Sequence, residues 1–199
     1  LYDLNGADYP MVLLEEVRGL QTDVISVDNV EMMEEVVTHL ISEGHEHIIH
    51  IGGPEYSIHT QERIRGFRSA FSTSRLVFDE ALVVTAGAHL SDGYRAAKNF
   101  YEGGSDRRPS AITCYNDQVA IGVATYLSEQ NVAIPEEVTI FGYDNIELLD
   151  YYPIPISSVQ APLVEIGTKA AELLIRRIRA DNSPPAERAI YHGELVIRE

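Results

Sequence analysis

Apolar residues along this chain fall into two rhythms. Short runs rich in β-branched residues and leucine, at 10–16, 24–27, 47–53, 82–87, 110–115 and 138–143, have the length and composition of strands. Between them, apolar positions recur three and four apart. Met32, Met33, Val36, Val37, Leu40 and Ile41 trace one helical face, with Asp28 or Asn29 at its N-cap and Gly44 just past its end. Further helices are expected around 59–71, from Ser91-Asp92 onward, and over 116–131. A short extended segment follows at 156–160. Leu163, Ile166, Ala170, Leu173, Leu174 and Ile178 then mark a long helix ending in Arg176, Arg177 and Arg179, whose charge suits a helix C-terminus. A proline-containing linker at 180–187 leads to closing strand material at 189–199.

Strands alternating with helices predict an α/β fold, a mostly parallel sheet covered by helices on both faces. In such sheets a ligand sits beyond the carboxyl ends of the strands. Three of the apolar runs break off there in an adjacent Asn and Asp: Asp28-Asn29, Asn116-Asp117 and Asp144-Asn145. Such pairs either start helices and turns or deliver polar groups to one cleft.

Composition narrows the function. The chain has 199 residues, 45% of them hydrophobic, enough for a real core. No apolar run approaches the roughly 20 residues needed to span a bilayer, and no export signal is visible. The chain opens on a segment that reads as the end of a helix and a turn, without a start methionine, and is expected to begin partway through a longer protein. The formal charge of −16, from 31 acidic and 15 basic residues, opposes binding of a phosphate backbone by this chain itself. The single cysteine, Cys114, rules out an internal disulfide and a cysteine-based zinc site, and its apolar neighbours make it a core residue.

Candidate chemistry concentrates at the strand ends. One member of Asn116-Asp117 is needed to cap the following helix, leaving the other for a cleft. No clean helical face follows Asp144-Asn145, so a carboxylate there is read as an acceptor for ligand hydroxyls. Arg63 and Arg65 are two apart on a helix and cannot share a face, so one can reach a cleft while the other is solvated. On the residues alone, a surface salt bridge is the default for either. His45, His47 and His50 lie close together but make an incomplete metal set, so no metal is expected. No P-loop, GxGxxG or GxSxG motif is present. A glycosidase pair can be drawn from Glu15, Asp117 and Asp144 only on paper.

Several of these stretches recur together. "SVDN" at 26–29, "HLISEGHEHIIHIGGP" at 39–54, "RIRGF" at 63–67, "PSAITCYNDQVAIG" at 109–122, "IPEEVTIFGYDN" at 134–145 and "SSVQAP" at 157–162 resemble the lactose/galactose-repressor family, from about Tyr9 to the C-terminus. The likeness is to its effector-binding core, akin to periplasmic sugar-binding proteins. It implies two doubly wound lobes joined by three crossovers, near Val27, near Gln160 and after Ala186, with a small ligand, usually a sugar, between them. Residues 1–27 and 161–188 would form an incomplete N-terminal lobe, and residues 28–160 and 189–199 the C-terminal lobe.

By the same resemblance, Asp144 takes the place of the acid that grips sugar hydroxyls, Asn116 that of a strand-end ligand donor, and Arg63 that of an arginine reaching in from its helix. Glu15, Val27, His59, His89 and Gln160 fall at further ligand-contact positions. The implied function is the ligand-sensing core of a cytoplasmic bacterial transcriptional regulator. It would be a non-enzyme without cofactor, homodimeric at full length, and would bind operator DNA only through a helix-turn-helix headpiece absent from this chain. A sugar-binding protein of a transport system would show the same cleft, and a glycosidase would instead turn its sugar over.

Overall fold

The structure, a computed structural model, describes residues 2–6, 9–103, 108–180 and 185–198. Half of the linker expected at 180–187, residues 181–184, lies outside them. Two compact units emerge, residues 1–28 with 161–193, and residues 29–160 with 194–199.

The larger unit is built on four parallel strands in the order β4-β3-β5-β6: β3 (Ile48–Gly52), β4 (Val83–Thr85), β5 (Ala111–Cys114) and β6 (Thr139–Phe141). Alternation along the central strands sends side chains to both faces. Ile49 and Ile51 of β3, with Ile112 and Cys114 of β5, enter a core with Ala96, Ala97, Val119, Val123 and Leu127. These helical residues come from α4 (Leu90–Glu102) and α5 (Asp117–Glu129). His50 of β3 points the opposite way, against Phe67, with ring centroids 5.5 Å apart. Phe67 belongs to α3 (Ile58–Ser72), which packs beside α2 (Asn29–Ser42). Met32, Met33, Val36, Val37 and Leu40 of α2 are all buried, as the helical rhythm predicts.

Helices α4 and α5 meet backbone to backbone. A Cβ on Gly122 would come within 2.0 Å of the Leu90 carbonyl oxygen, and one on Gly93 within 2.1 Å of that of Val119. Only hydrogen at these two positions permits the approach. Cys114 is a fully buried free thiol, and burial pushes its pKa up, as expected of a core residue.

An antiparallel pair, β7 (Ser158–Gln160) with β9 (Glu194–Val196), completes this unit, and Phe141 bridges to Ser157.

The smaller unit is a parallel sheet in the order β1-β2-β8, from β1 (Val12–Leu13), β2 (Asp23–Val27) and β8 (Arg188–Tyr191), with a five-residue helix α1 (Tyr2–Gly6). The strand expected over 10–16 shrinks to Val12–Leu13, the only stretch that finds a partner, opposite Asp23 and Val24. Residues 189–191, expected in the other lobe, pair with Ile25–Val27 and so join this one. Helix α6 (Leu163–Arg179) covers the sheet through Ile166, Ala170 and Leu173, whereas Ile178 is 62% exposed. Arg177 takes the face where Ile178 was expected and grips the fully buried Asp23 in a fork, Nη2 to Oδ1 at 2.8 Å and Nε to Oδ2 at 2.5 Å. Burial alone would raise the Asp23 pKa, but the Arg177 bonds and the Glu187 N–H hold it below the usual range. No helix among the described residues is long and apolar enough to cross a membrane.

Candidate functional site in the larger unit

Because its four strands run parallel, the larger unit presents all their carboxyl ends on one side. Arg63 reaches there from the second turn of α3. Its side chain is 6% exposed, so the surface salt bridge favoured by the residues alone does not form. Its Nε–H donates to Asn29 Oδ1 at 3.2 Å, Nη1 donates to the Tyr115 carbonyl just past β5, and the guanidinium lies over the Tyr143 ring at 3.5 Å. These bonds engage only part of the five N–H donors of the guanidinium. Arg65 stays in solvent beside Glu62, at 3.8 Å. The two arginines therefore divide as their spacing requires.

Asn29 is the hub beside Arg63. Since Arg63 donates to its oxygen, its amide nitrogen faces Glu62 Oε2 at 2.9 Å and His59 Nδ1 at 3.2 Å. Burial would raise the Glu62 pKa, but hydrogen bonds with His59 and Asn29 bring it below the ordinary value. His59 is half-buried one turn before Arg63.

Asp144 stands three residues beyond β6, exposed, with φ of +102°, followed by Asn145 at +47°. A non-glycine residue held so far into the left-handed half of conformational space is strained. Displacement of water by the surrounding protein raises the Asp144 pKa, while Arg63 and then His59 pull it down. Structure thus brings Arg63, His59 and Asp144 into one electrostatic neighbourhood, with the buried Tyr143 ring beneath the guanidinium.

The remaining expected residues are placed as follows. Asn116 caps α5, accepting from the Val119 N–H at 2.9 Å and donating to the Ala88 carbonyl at 3.0 Å. That bond ties the loop bearing the exposed His89, whose own N–H donates to Asp92 at 3.0 Å. Gln160, at the end of β7, accepts from the Asn145 amide at 2.9 Å. Glu15, exposed after β1, and Val27, closing β2, belong to the smaller unit. Asp117, one of the acids available to a glycosidase pair, is fully buried and held by the Ser158 hydroxyl and the Ile146 N–H. It faces no open space. His50 is fully buried with its pKa lowered to about 3 by burial and then by Arg63, whereas His47 lies outside the strand and pairs with the Arg108 carbonyl.

Tyr115, Tyr143 and Ser158 were not singled out from the sequence, and Asn29 and Asp117, which were, hold other places than expected: Asn29 anchors Arg63, and Asp117 is buried away from any cleft. The "SVDN" motif pointed to Asn29, and the buried tyrosine of "GYDN" to a stacking face, but neither signal separates a ligand wall from a cap or a core ring.

Residues 37–199 match the periplasmic binding protein-like domain family. The HTH-type transcriptional repressor PurR of Vibrio atlanticus (strain LGP32) is 32% identical over 196 residues, which are 96% of this chain and 57% of that protein. The chain thus spans little more than half the length of this relative. A crystal structure of a sugar-binding transcriptional regulator of the LacI family from Escherichia coli, complexed with phosphate, superposes with a TM-score of 0.86 at 29% identity, over 99% of this chain and 70% of that one. The transcriptional regulator CelR in complex with cellobiose gives 0.90 at 26%, over 98% and 60%. Sequence and fold agree, and the chain belongs to the periplasmic binding protein-like domain family, in the form of the effector-binding core of LacI-family regulators.

Proposed function

We propose that this chain is the ligand-sensing core of a bacterial transcriptional regulator and that its effector is a small, neutral, sugar-like molecule. One observation carries the reading. A buried arginine stacked on Tyr143 and an exposed acid on a strained turn stand at the same strand ends. A polyol asks for this combination, since each hydroxyl can donate to a carboxylate and accept from a guanidinium. Arg63 and Asp144 supply charge-assisted bonds. His59, His89, Asn116, Gln160, Glu15 and Val27 are the further proposed contacts, the last two on the resemblance alone. The ligand is proposed to leave unchanged: Asp117, one of the acids a glycosidase pair could use, is already committed within the protein, and the relatives are repressors.

Effector binding shifts a two-state equilibrium that a separate helix-turn-helix headpiece reads out on operator DNA. The chain's own charge of −16 leaves DNA contact to that headpiece. The full-length regulator is proposed to be cytoplasmic and dimeric. A transport receptor with the same cleft is the second reading, and repressors among the relatives weigh against it.

Thermal denaturation against a panel of mono- and disaccharides tests the effector class. At 100-fold excess over Kd, the true class stabilises the chain by about 2.7 kcal/mol. A panel without any shift contradicts it.

A further inference from the structure

Behind the exposed Asp144 lies a second acid that never reaches the surface. Asp117 opens α5 and is fully buried. Its Oδ1 accepts from the Ser158 hydroxyl at 2.6 Å and its Oδ2 from the Ile146 N–H at 2.8 Å. Ser158 Oγ in turn accepts from the Asn145 N–H at 3.0 Å. The Asp117 N–H donates to the Tyr143 carbonyl at 2.9 Å, and Asp144 N–H to the Val159 carbonyl at 2.9 Å. Every residue from 143 to 146 is therefore fastened either to Asp117 directly or to the strand pair beside it. The turn wraps the carboxylate so closely that a Cβ on Gly142 would lie 2.2 Å from Oδ1.

These bonds have a direction. Ser158 donates its one proton to Asp117 while accepting from Asn145, and the Ile146 N–H points at Oδ2, so the carboxylate is placed as an acceptor on both oxygens. A charged carboxylate satisfies both donors. Protonation sets an O–H against the Ile146 N–H or against the Ser158 O–H, which must then turn away, and the charge-assisted character of both bonds is lost.

We propose that Asp117 is a positioning residue for the ligand site: its ionised carboxylate holds the strained 143–146 turn that presents Asp144, so that ligand affinity depends on the protonation of a group the ligand never touches. The inference rests on Asp144 being a ligand contact. Burial, opposed by the bonds from Ser158 and Ile146 and reinforced by Asp144, lifts the Asp117 pKa to about 6, within reach of mild acidification. The titratable neighbours acting on this pair are Asp144, with Arg63 and His59 acting on Asp144, and the buried Cys114 thiol behind Asp117.

The test is the affinity of the 199-residue chain for the best-binding sugar of the panel, by calorimetry between pH 5.5 and 7.5, for wild type, Asp117→Asn, Ser158→Ala and Asp144→Asn. Asp117→Asn and Ser158→Ala are each expected to weaken binding at pH 7.5 at least tenfold, and Asp117→Asn to flatten the wild-type decline towards pH 5.5. Should Asp117→Asn fail to fold, Ser158→Ala, which removes the bridge without a charge change, carries the test alone. Wild-type affinity and pH profile in both variants, with Asp144→Asn still impaired, overturns the positioning role and leaves the ligand site standing. Unimpaired binding in Asp144→Asn as well overturns the site itself.

Discussion

Asp117 makes opposite demands on stability and on binding, and this separates it from an ordinary core polar residue. Its folded pKa, about 6, lies above the 3.8 of the unfolded chain, so between those values the native state binds more protons. Stability therefore falls as pH rises from about 4 to 6, by roughly 3 kcal/mol from this group. Urea denaturation of wild type and Asp117→Asn across that range should show the variant lacking this component of the slope. An identical slope in both contradicts the assignment. Binding is expected to run the other way, stronger at the higher pH. The three Asn-Asp pairs were visible in the sequence, but their division of labour was not. Asn116 caps, Asp117 is buried in a hydrogen-bond chain, Asn29 anchors Arg63, and Asp144 stands exposed. Cap, anchor and contact use the same short polar side chains, and only tertiary partners distinguish them.

At the scale of elements, apolar rhythm was a sound guide wherever burial decides conformation. Helix α2 buries the face its spacing traced, and β3 and β5 are buried on both sides. It misled where burial was incomplete. The 10–16 run has strand composition but pairs over two residues, and Ile178 is exposed while the charged Arg177 goes inward to Asp23. A buried ion pair cannot be read from periodicity, because its partner lies 154 residues away. The α4–α5 contact was likewise invisible, since two glycines within helices look like weak points until their backbones touch. Gly122→Ala should force the helices apart and destabilise the chain by about 1–3 kcal/mol. Chemical denaturation measures it, and an unchanged midpoint contradicts so close an approach.

For the whole molecule, the fold class and family were legible because many spaced motifs agree, whereas the proposed ligand set rests on the resemblance. Lobe boundaries shifted at the C-terminus, where residues 189–191 pair with β2 instead of joining the larger unit. Affinity for a sugar is the central claim of the proposed function, and Asp144 is the cleanest place to test it. Arg63 also holds Asn29 and Tyr115, so removing it perturbs the fold. Asp144 is exposed, and asparagine tolerates its positive φ at least as well as aspartate. The decisive measurement is calorimetric titration of wild type and Asp144→Asn with the saccharide panel at pH 7.5. At least one sugar is expected to bind wild type and to bind Asp144→Asn at least tenfold more weakly, with equal melting temperatures for the two unliganded proteins. A sugar that binds both with the same affinity would contradict it.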